Sequence, residues 1–228
     1  MSLPERQSEL IDTHRAVQDA NLPYVLVGGW AVSAFQTRFT TDIDTVIPDT
    51  ALDDYDTLLR DLGYEKQFEQ DVSNEYDGRM IQYAKSVGAN AVKFEALVDA
   101  MRCRQTEAEW SYRYLHEHST IEALDVAEDL DGRIPEPALL FAMKLHSGRK
   151  ADTRDLVVIS VRADFSRIER HVHRGDPEKL KRQIEMVLDQ LQRDGFKDSF
   201  KGVFRQEELP VDAVDDLVSF LSKQRDQL

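Results

Sequence analysis

Two short apolar segments, separated by a glycine pair and closed by two aspartates, constrain the fold of this chain more than any other feature. Tyr24-Val25-Leu26-Val27 runs into Gly28-Gly29, and the second segment begins with Asp42-Ile43-Asp44. Side chains at positions i and i+2 of a β-strand lie on one face, so both aspartates point the same way while Ile43 points into the core. The pattern predicts two strands with a short helix after the glycines.

Paired carboxylates beside a glycine-lined helix start suit divalent metal ions that hold a nucleoside triphosphate. Holding two such ions takes two or three carboxylates on adjacent strands, so a third acid is expected on a neighbouring strand. The segment Val92-Lys93-Phe94-Glu95-Ala96-Leu97 offers Glu95, with Val92 and Phe94 on the opposite, apolar face. Asp99 is the alternative if the strand extends that far.

The composition predicts a soluble cytoplasmic protein with no membrane partner. The 228 residues suffice for one large domain or two small ones, and 41% of them are hydrophobic. The sequence shows no signal-peptide pattern and no apolar run near the ~20 residues that span a bilayer. The single cysteine, Cys103, excludes an internal disulfide framework and suits a reducing compartment.

The formal net charge of −14 argues against a general nucleic-acid-coating function and against DNA as a partner. The segment 161–182 is locally basic, with seven Lys and Arg residues and four Asp and Glu residues. Such a run is commonly a solvated helix face, and an RNA-contacting surface is the alternative.

Periodicity predicts an α/β first half and a mainly helical second half. Helices are expected at about 5–21, 31–36, 52–63, 138–148, 177–193 and 211–227, with a helix or strand near 156–161. Strands are expected at about 23–27 and 41–47, and in a hairpin of 80–86 and 91–97 around Gly88-Ala89-Asn90. Thr50 and Asp53 resemble a capping box, and the chain from about residue 99 is expected to be helix-rich.

Gly28-Gly29 followed by Arg38-Phe39-Thr40-Thr41-Asp42-Ile43-Asp44 resembles the signature of the DNA polymerase β-like nucleotidyltransferases, most closely the minimal and AbiEii-type toxin branch. The segment Leu139-Leu140-Phe141-Ala142-Met143-Lys144-Leu145, with Arg149 and Arg154-Asp155-Leu156 after it, resembles the C-terminal pattern of that branch. The resemblance covers roughly residues 20–160.

The resemblance implies an α/β (α+β) fold: a nucleotidyltransferase-type mixed β-sheet core with flanking helices, then a mainly helical C-terminal region. Residues 1–100 would form the catalytic core. Residues 101–228 would form a helical domain that completes the nucleotide site and contacts the acceptor.

The resemblance also implies a role for each matching residue. Asp42, Asp44 and Glu95 would be the catalytic and metal-binding acids, holding two Mg²⁺ ions, with Glu95 also helping to activate the acceptor hydroxyl. The nucleotide-binding residues would be Gly28, Gly29, Arg38, Thr40, Lys144 and Asp155. Glu95 stands where aspartate is commoner in the superfamily, and Thr45 where an apolar residue is usual.

The implied activity is Mg²⁺-dependent transfer of a nucleoside monophosphate from an NTP to an acceptor, either tRNA or protein. The setting would be a toxin–antitoxin or phage-defence system, with a cognate antitoxin as partner. Two alternatives stay open: modification of a small molecule, as in aminoglycoside nucleotidyltransferases, and a non-catalytic module that binds a partner through its C-terminal helices.

Overall fold

The computed structural model describes residues 3–37, 40–71, 79–204 and 209–228. The chain forms two compact units: Met1–Met101 with Trp110–Pro135, and Arg102–Glu109 with Glu136–Leu228. Residues 110–135 therefore pack with the first unit. The division of function predicted at residue 100 stays a prediction. Within the described residues, no helix is both long enough and apolar enough to cross a membrane.

The first unit is built on a five-stranded mixed sheet. Its elements, in chain order, are α1 (Leu3–Asp19), β1 (Val25–Leu26), α2 (Gly28–Ser33), β2 (Asp42–Ile47), α3 (Leu52–Asp61), β3 (Glu65–Asp71), β4 (Arg79–Val87) and β5 (Asn90–Val98). The strand order is β1-β2-β5-β4-β3. The β2–β5 pair is parallel and the other pairs are antiparallel.

Alternating apolar residues place the core on one face of this sheet. Ile43 and Ile47 of β2 are fully buried, and Phe94 of β5 is 1% exposed. Tyr55 of α3 packs against Phe94 with ring centroids 5.8 Å apart, and α1 contributes the fully buried Leu10. Burying each such side chain stabilises the fold by about 1.5–3 kcal/mol, so the period-2 pattern holds the sheet face in place.

The capping box predicted at Thr50 and Asp53 is wrong. A 3₁₀ turn at Asp49–Ala51 precedes α3, whose N-cap is Ala51, without a side-chain hydrogen bond. The backbone N–H of Asp49, at the start of this turn, donates to the Asp99 carboxylate over 2.9 Å. Thr50 lies inside the 3₁₀ turn, so it is not the N-cap of α3.

The expected helix-rich character is wrong for the stretch that follows residue 99. This stretch contains β6 (Ala100–Cys103), β7 (Ala108–Ser111), α4 (Tyr112–Glu117), β8 (Ser119–Ala123) and β9 (Asp131–Pro135). β6 pairs with β7, and β8 pairs antiparallel with β9. Strands of four or five residues carry too few alternating positions for a period of 2 to be distinguished from a helical period.

The described residues of the second unit between Pro137 and Gln227 are mainly helical. Its helices are α5 (Pro137–Ser147), α6 (Lys150–Ser160), α7 (Phe165–Val172), α8 (Pro177–Leu191), α9 (Phe196–Phe204) and α10 (Val211–Gln227). The predictions for α5, α8 and α10 are confirmed, and the helix-or-strand alternative near residue 156 is settled as the helix α6. The bounds of α5 are predictable because proline favours the first turn of a helix and glycine the left-handed backbone that ends one. Pro137 begins α5, and Gly148 ends it at φ 52°.

Candidate active site

The two aspartates of β2 share one face of the strand. Ile43 between them is fully buried, whereas Asp42 and Asp44 are half-buried. The N–H of Val27, the residue before α2, donates to the Asp44 carbonyl over 2.9 Å and ties this helix start to the acidic strand. The predicted alternation of β2 is confirmed, and the metal-binding roles of its acids stay predictions.

Glu95 lies beside Asp44 on the neighbouring strand. β2 and β5 are parallel, with Asp44 in register with Glu95 and Asp42 in register with Lys93. Residues paired in register across a sheet project from the same face. Asp99, the alternative third acid, adopts a left-handed backbone at φ 63° and lies beyond the end of β5. The structure therefore places Glu95, and not Asp99, on the face of the two aspartates.

The three acids offer the hard oxygen ligands that Mg²⁺ prefers. Within the described chain, ligand oxygens of Asp42, Asp44 and Glu95 do not all come within 4.8 Å of one another. One ion would contact all three only after a side chain rotates, whereas two ions about 3.5–4 Å apart can divide such a set between them. The donor chemistry fits a divalent metal, and the number of ions stays a prediction.

Gly28 leaves room for the carboxylate of Asp44. Its φ is +61°, and a Cβ built on it would lie 1.8 Å from Oδ2 and 2.7 Å from Cγ of Asp44. An L-residue would thus meet both a strained backbone and an overlap with the acid. Gly29 is the second residue of α2, which begins earlier than the predicted helix at 31–36.

Thr40 contacts the acidic strand directly. Its hydroxyl donates to Oδ1 of Asp42, and it also lies 3.2 Å from the Asp42 carbonyl oxygen. This contact orients the carboxylate, a role that the sequence did not predict. The proposed contact of Thr40 with phosphate stays a prediction, and Arg38 lies outside the described residues.

Two further residues reach the same face. Gln82 of β4 is in register with Glu95, and its Nε2 donates to Oε1 of Glu95 over 2.7 Å. Lys93 is exposed and stands in register with Asp42. The predicted hairpin could have identified Gln82, because strands 80–86 and 91–97 paired end to end place residue 82 opposite Glu95, as observed. The turn has two residues, Gly88 and Ala89, since Val87 pairs with Asn90.

Lys144 and Asp155 lie in the second unit, where they form a buried ion cluster. The Lys144 Nζ is 2.9 Å from Oδ1 of Asp152 and 2.9 Å from Oδ2 of Asp155. Asp152 also accepts hydrogen bonds from Ser147 and Arg149. Contact of Lys144 and Asp155 with a nucleotide stays a prediction; the structure shows the lysine held by two carboxylates.

The cluster keeps Lys144 and Asp152 charged. Burial by itself lowers the pKa of Lys144, but the two aspartates outweigh it and the pKa is raised. Burial likewise opposes ionisation of Asp152, yet Lys144 and Arg149 hold the pKa of its carboxyl below the usual value. Compensation of this kind is what a buried ion pair needs.

Sequence comparison finds no protein-family profile and no curated protein that matches the chain. Solved structures do match. The antibiotic-resistance factor ANT(2'')-Ia aligns over 73% of this chain and 88% of its own at a TM-score of 0.51 and 16% identity. The chain has a nucleotidyltransferase-type fold. At that identity the likeness concerns the fold alone, which is the predicted mixed sheet with flanking helices.

Two Helicobacter pylori proteins align more loosely with the nucleotidyltransferase-type fold of this chain. A candidate nucleotidyltransferase covers 95% of this chain and 93% of its own at 14% identity and a TM-score of 0.44. JHP933 covers 95% and 90% at 14% identity and a TM-score of 0.42.

Proposed function

We propose that the chain is a metal-dependent nucleotidyltransferase that moves a nucleoside monophosphate from an NTP to an acceptor hydroxyl and releases pyrophosphate. One observation carries the proposal: Asp42 and Asp44 share a face of β2, and Glu95 joins them in register from the parallel strand β5. The nucleotidyltransferase-type fold supports the same reaction class. Nucleotidyl transfer needs a site that positions the substrates and neutralises phosphate charge, which these acids would provide through bound metal.

The acids would hold Mg²⁺, which supplies neutralisation of the phosphate charge when it is bound. Asp42 and Asp44 are the central ligands, and Thr40 orients Asp42 through its hydroxyl. Gly28 brings its backbone against Asp44 and leaves no side chain in the space between α2 and β2. These residues bind and orient, which is most of what phosphoryl chemistry asks of a protein.

In the proposed reaction the acceptor oxygen forms a bond to the α-phosphorus of the NTP. The bond from that phosphorus to the oxygen bridging to the β-phosphate breaks, and pyrophosphate leaves with the bonding electrons. The acceptor hydroxyl loses its proton, and we assign a carboxylate oxygen of Glu95 as the group that takes it. General-base assistance of this kind contributes typically 10²–10⁴-fold to a rate.

For the acceptor, we propose tRNA or protein in a toxin–antitoxin or phage-defence setting, with a cognate antitoxin, as the AbiEii-type resemblance suggests. One observation favours a cationic small molecule as the second candidate. In the basic segment 161–182, Arg167 pairs with Glu136 and Lys179 with Glu107, so acids outside the segment offset part of its charge. An acceptor rich in amines would suit the chain's net charge of −14 better than RNA does.

The test is transfer of label from each α-³²P NTP, with Mg²⁺, to total RNA, lysate protein or a polyamine-rich small molecule. Asp42→Asn and Asp44→Asn are compared with the wild type and with Asp54→Asn, an exposed aspartate of α3. We expect transfer by the wild type and the control, and at least about 100-fold less by the site variants. Equal labelling by all four proteins would exclude the proposed mechanism. Absence of Mg²⁺–NTP binding at millimolar ligand would favour a non-catalytic binding module.

A further inference from the structure

We infer that Gln82 is a positioning residue that acts through Glu95, holding Oε1 so that Oε2 faces the metal and the acceptor. This inference rests on the proposed function. Gln82 lies on β4, on the side of β5 opposite to β2, and is in register with Glu95.

The hydrogen bond between these residues has one possible direction. The Nε2 of Gln82 lies 2.7 Å from Oε1 of Glu95, and an amide nitrogen can only donate. Hydrogen bonds to charged acceptors are shorter and stronger than neutral ones. The contact therefore fixes both the amide orientation of Gln82 and one oxygen of the acid.

A glutamate needs this restraint more than an aspartate does. Its extra rotatable bond lets the carboxylate reach further, and ordering such a side chain costs rotamer entropy. Glu95 therefore has more conformational freedom than Asp42 and Asp44, the two aspartates of the same face. The hydrogen bond from β4 offsets the added freedom and returns the acid to one defined position.

The backbone of Glu95 is held from the other side of β5. The Thr45 hydroxyl on β2 donates to the Glu95 carbonyl over 3.0 Å, and Thr45 is 1% exposed. β2 thus restrains the main chain of Glu95 while β4 restrains its side chain.

The test measures Mn²⁺ binding by electron paramagnetic resonance in the presence of a non-hydrolysable ATP analogue, together with kcat and KM for transfer. The variants are Gln82→Met, Glu95→Gln and their double mutant, with Asp44→Asn. Methionine matches glutamine in length but cannot donate. Gln70→Met on β3, at an exposed glutamine of the same sheet, is the matched control.

Loss of an outer-shell partner typically weakens metal affinity 10–100-fold, and we expect about 10-fold weaker Mn²⁺ binding for Gln82→Met. We expect kcat to fall more than KM rises, and Gln70→Met to match the wild type. In the Glu95→Gln background the Gln82→Met change should alter Mn²⁺ affinity less than about 2-fold, because its effect passes through Glu95.

Wild-type Mn²⁺ affinity and kcat in Gln82→Met would overturn the inference, as would a loss of the same size in the Glu95→Gln background. If Gln82→Met does not fold, Gln82→Ser gives the same comparison, since serine stays polar but is too short to reach Glu95. Failure of the proposed function gives a different result: Asp44→Asn would bind Mn²⁺ as tightly as the wild type.

Discussion

Gly28 and Asp44 determine each other's position, because a Cβ on the glycine would lie 1.8 Å from Oδ2 of the aspartate. The glycine begins α2 and the aspartate lies on β2, so this contact joins the two elements that the opening sequence pattern predicts. The backbone of Gly28 is thus in contact with one of the proposed metal-binding carboxylates.

Replacing Gly28 by alanine should therefore damage the site as well as the fold. We expect Gly28→Ala to lower the free energy of unfolding by about 1–3 kcal/mol through backbone strain. Because Asp44 must move, Mn²⁺ binding should weaken at least about 10-fold. Urea unfolding and metal titration measure the two effects.

Gly63→Ala is the control for that variant. Gly63 has φ +86°, and the nearest atom to a Cβ there is Cε of Lys85 at 3.7 Å. Its alanine variant should share the backbone strain but keep Mn²⁺ affinity unchanged. Equal metal affinity in both variants would contradict the role assigned to the Gly28–Asp44 contact.

The buried cluster around Lys144 makes a prediction about stability. Lys144→Met removes the ammonium group that both Asp152 and Asp155 contact and leaves Arg149 beside Asp152; breaking a buried pair in this way costs about 3–5 kcal/mol. Chemical denaturation at pH 7 measures the loss. Lys150→Met, at an exposed lysine of α6, should change stability little.

The cost of Lys144→Met should also depend on pH. The pKa of Asp152 is lowered from 3.8, so its contribution is present above that value and is lost as pH falls through the folded pKa. The pKa of Lys144 is raised from 10.5, so its contribution is present below that value and is lost as pH rises through the folded pKa. The difference between the proteins should be largest between these limits. A cost that grows on acidification would contradict the assignment.

His146 makes the second unit sensitive to acid. In the neutral imidazole, Nε2 donates to the Val172 carbonyl over 2.7 Å and Nδ1 accepts from the Thr106 hydroxyl over 2.7 Å. Burial above all lowers the pKa of His146 from 6.5 to about 4. As pH falls, the imidazole is protonated in the unfolded chain before it is protonated in the folded protein. The free energy of unfolding therefore falls between pH 6.5 and pH 4, by on the order of 2–3 kcal/mol.

The contribution of His146 can be isolated by substitution. His146→Gln removes the titrating group, so its free energy of unfolding should change less between pH 7 and pH 4.5 than that of the wild type. The exposed His116→Gln should keep the wild-type slope. The pKa of His14 is also lowered by burial, so part of the acid sensitivity should persist in both variants. Identical slopes in wild type and His146→Gln would refute the assignment.

Cys103 should be unreactive in the folded protein. Burial, with Asp152 nearby, raises the pKa of its thiol from 9.0 to about 12. Since the thiolate is the reactive form, three pKa units lower its fraction at pH 8 about 1,000-fold. Colorimetric thiol titration should therefore be slow in buffer and fast in urea, with Cys103→Ser giving no signal. Rapid reaction of the native protein would be inconsistent with this environment.

Much of the fold could be predicted from the sequence because local patterns determine where several strands and helices begin and end. Period-2 alternation identified β2 and the face of its aspartates, and Pro137 with Gly148 bounded α5. The stretch 100–135 failed because its strands are too short to show their period. The capping box at Thr50 failed because Thr50 lies inside the 3₁₀ turn Asp49–Ala51 and Ala51 is the N-cap of α3.

The sequence by itself determined which residues of β2 face away from the core, because a strand's side chains alternate whatever it pairs with. The hairpin register that pairs Gln82 with Glu95 is also local, because a two-residue turn at Gly88 and Ala89 sets it. Only the tertiary structure decided which strand lies beside β2. The parallel pairing of β2 with β5 then brings Glu95 to Asp44, a contact between strands about 50 residues apart that no local pattern encodes.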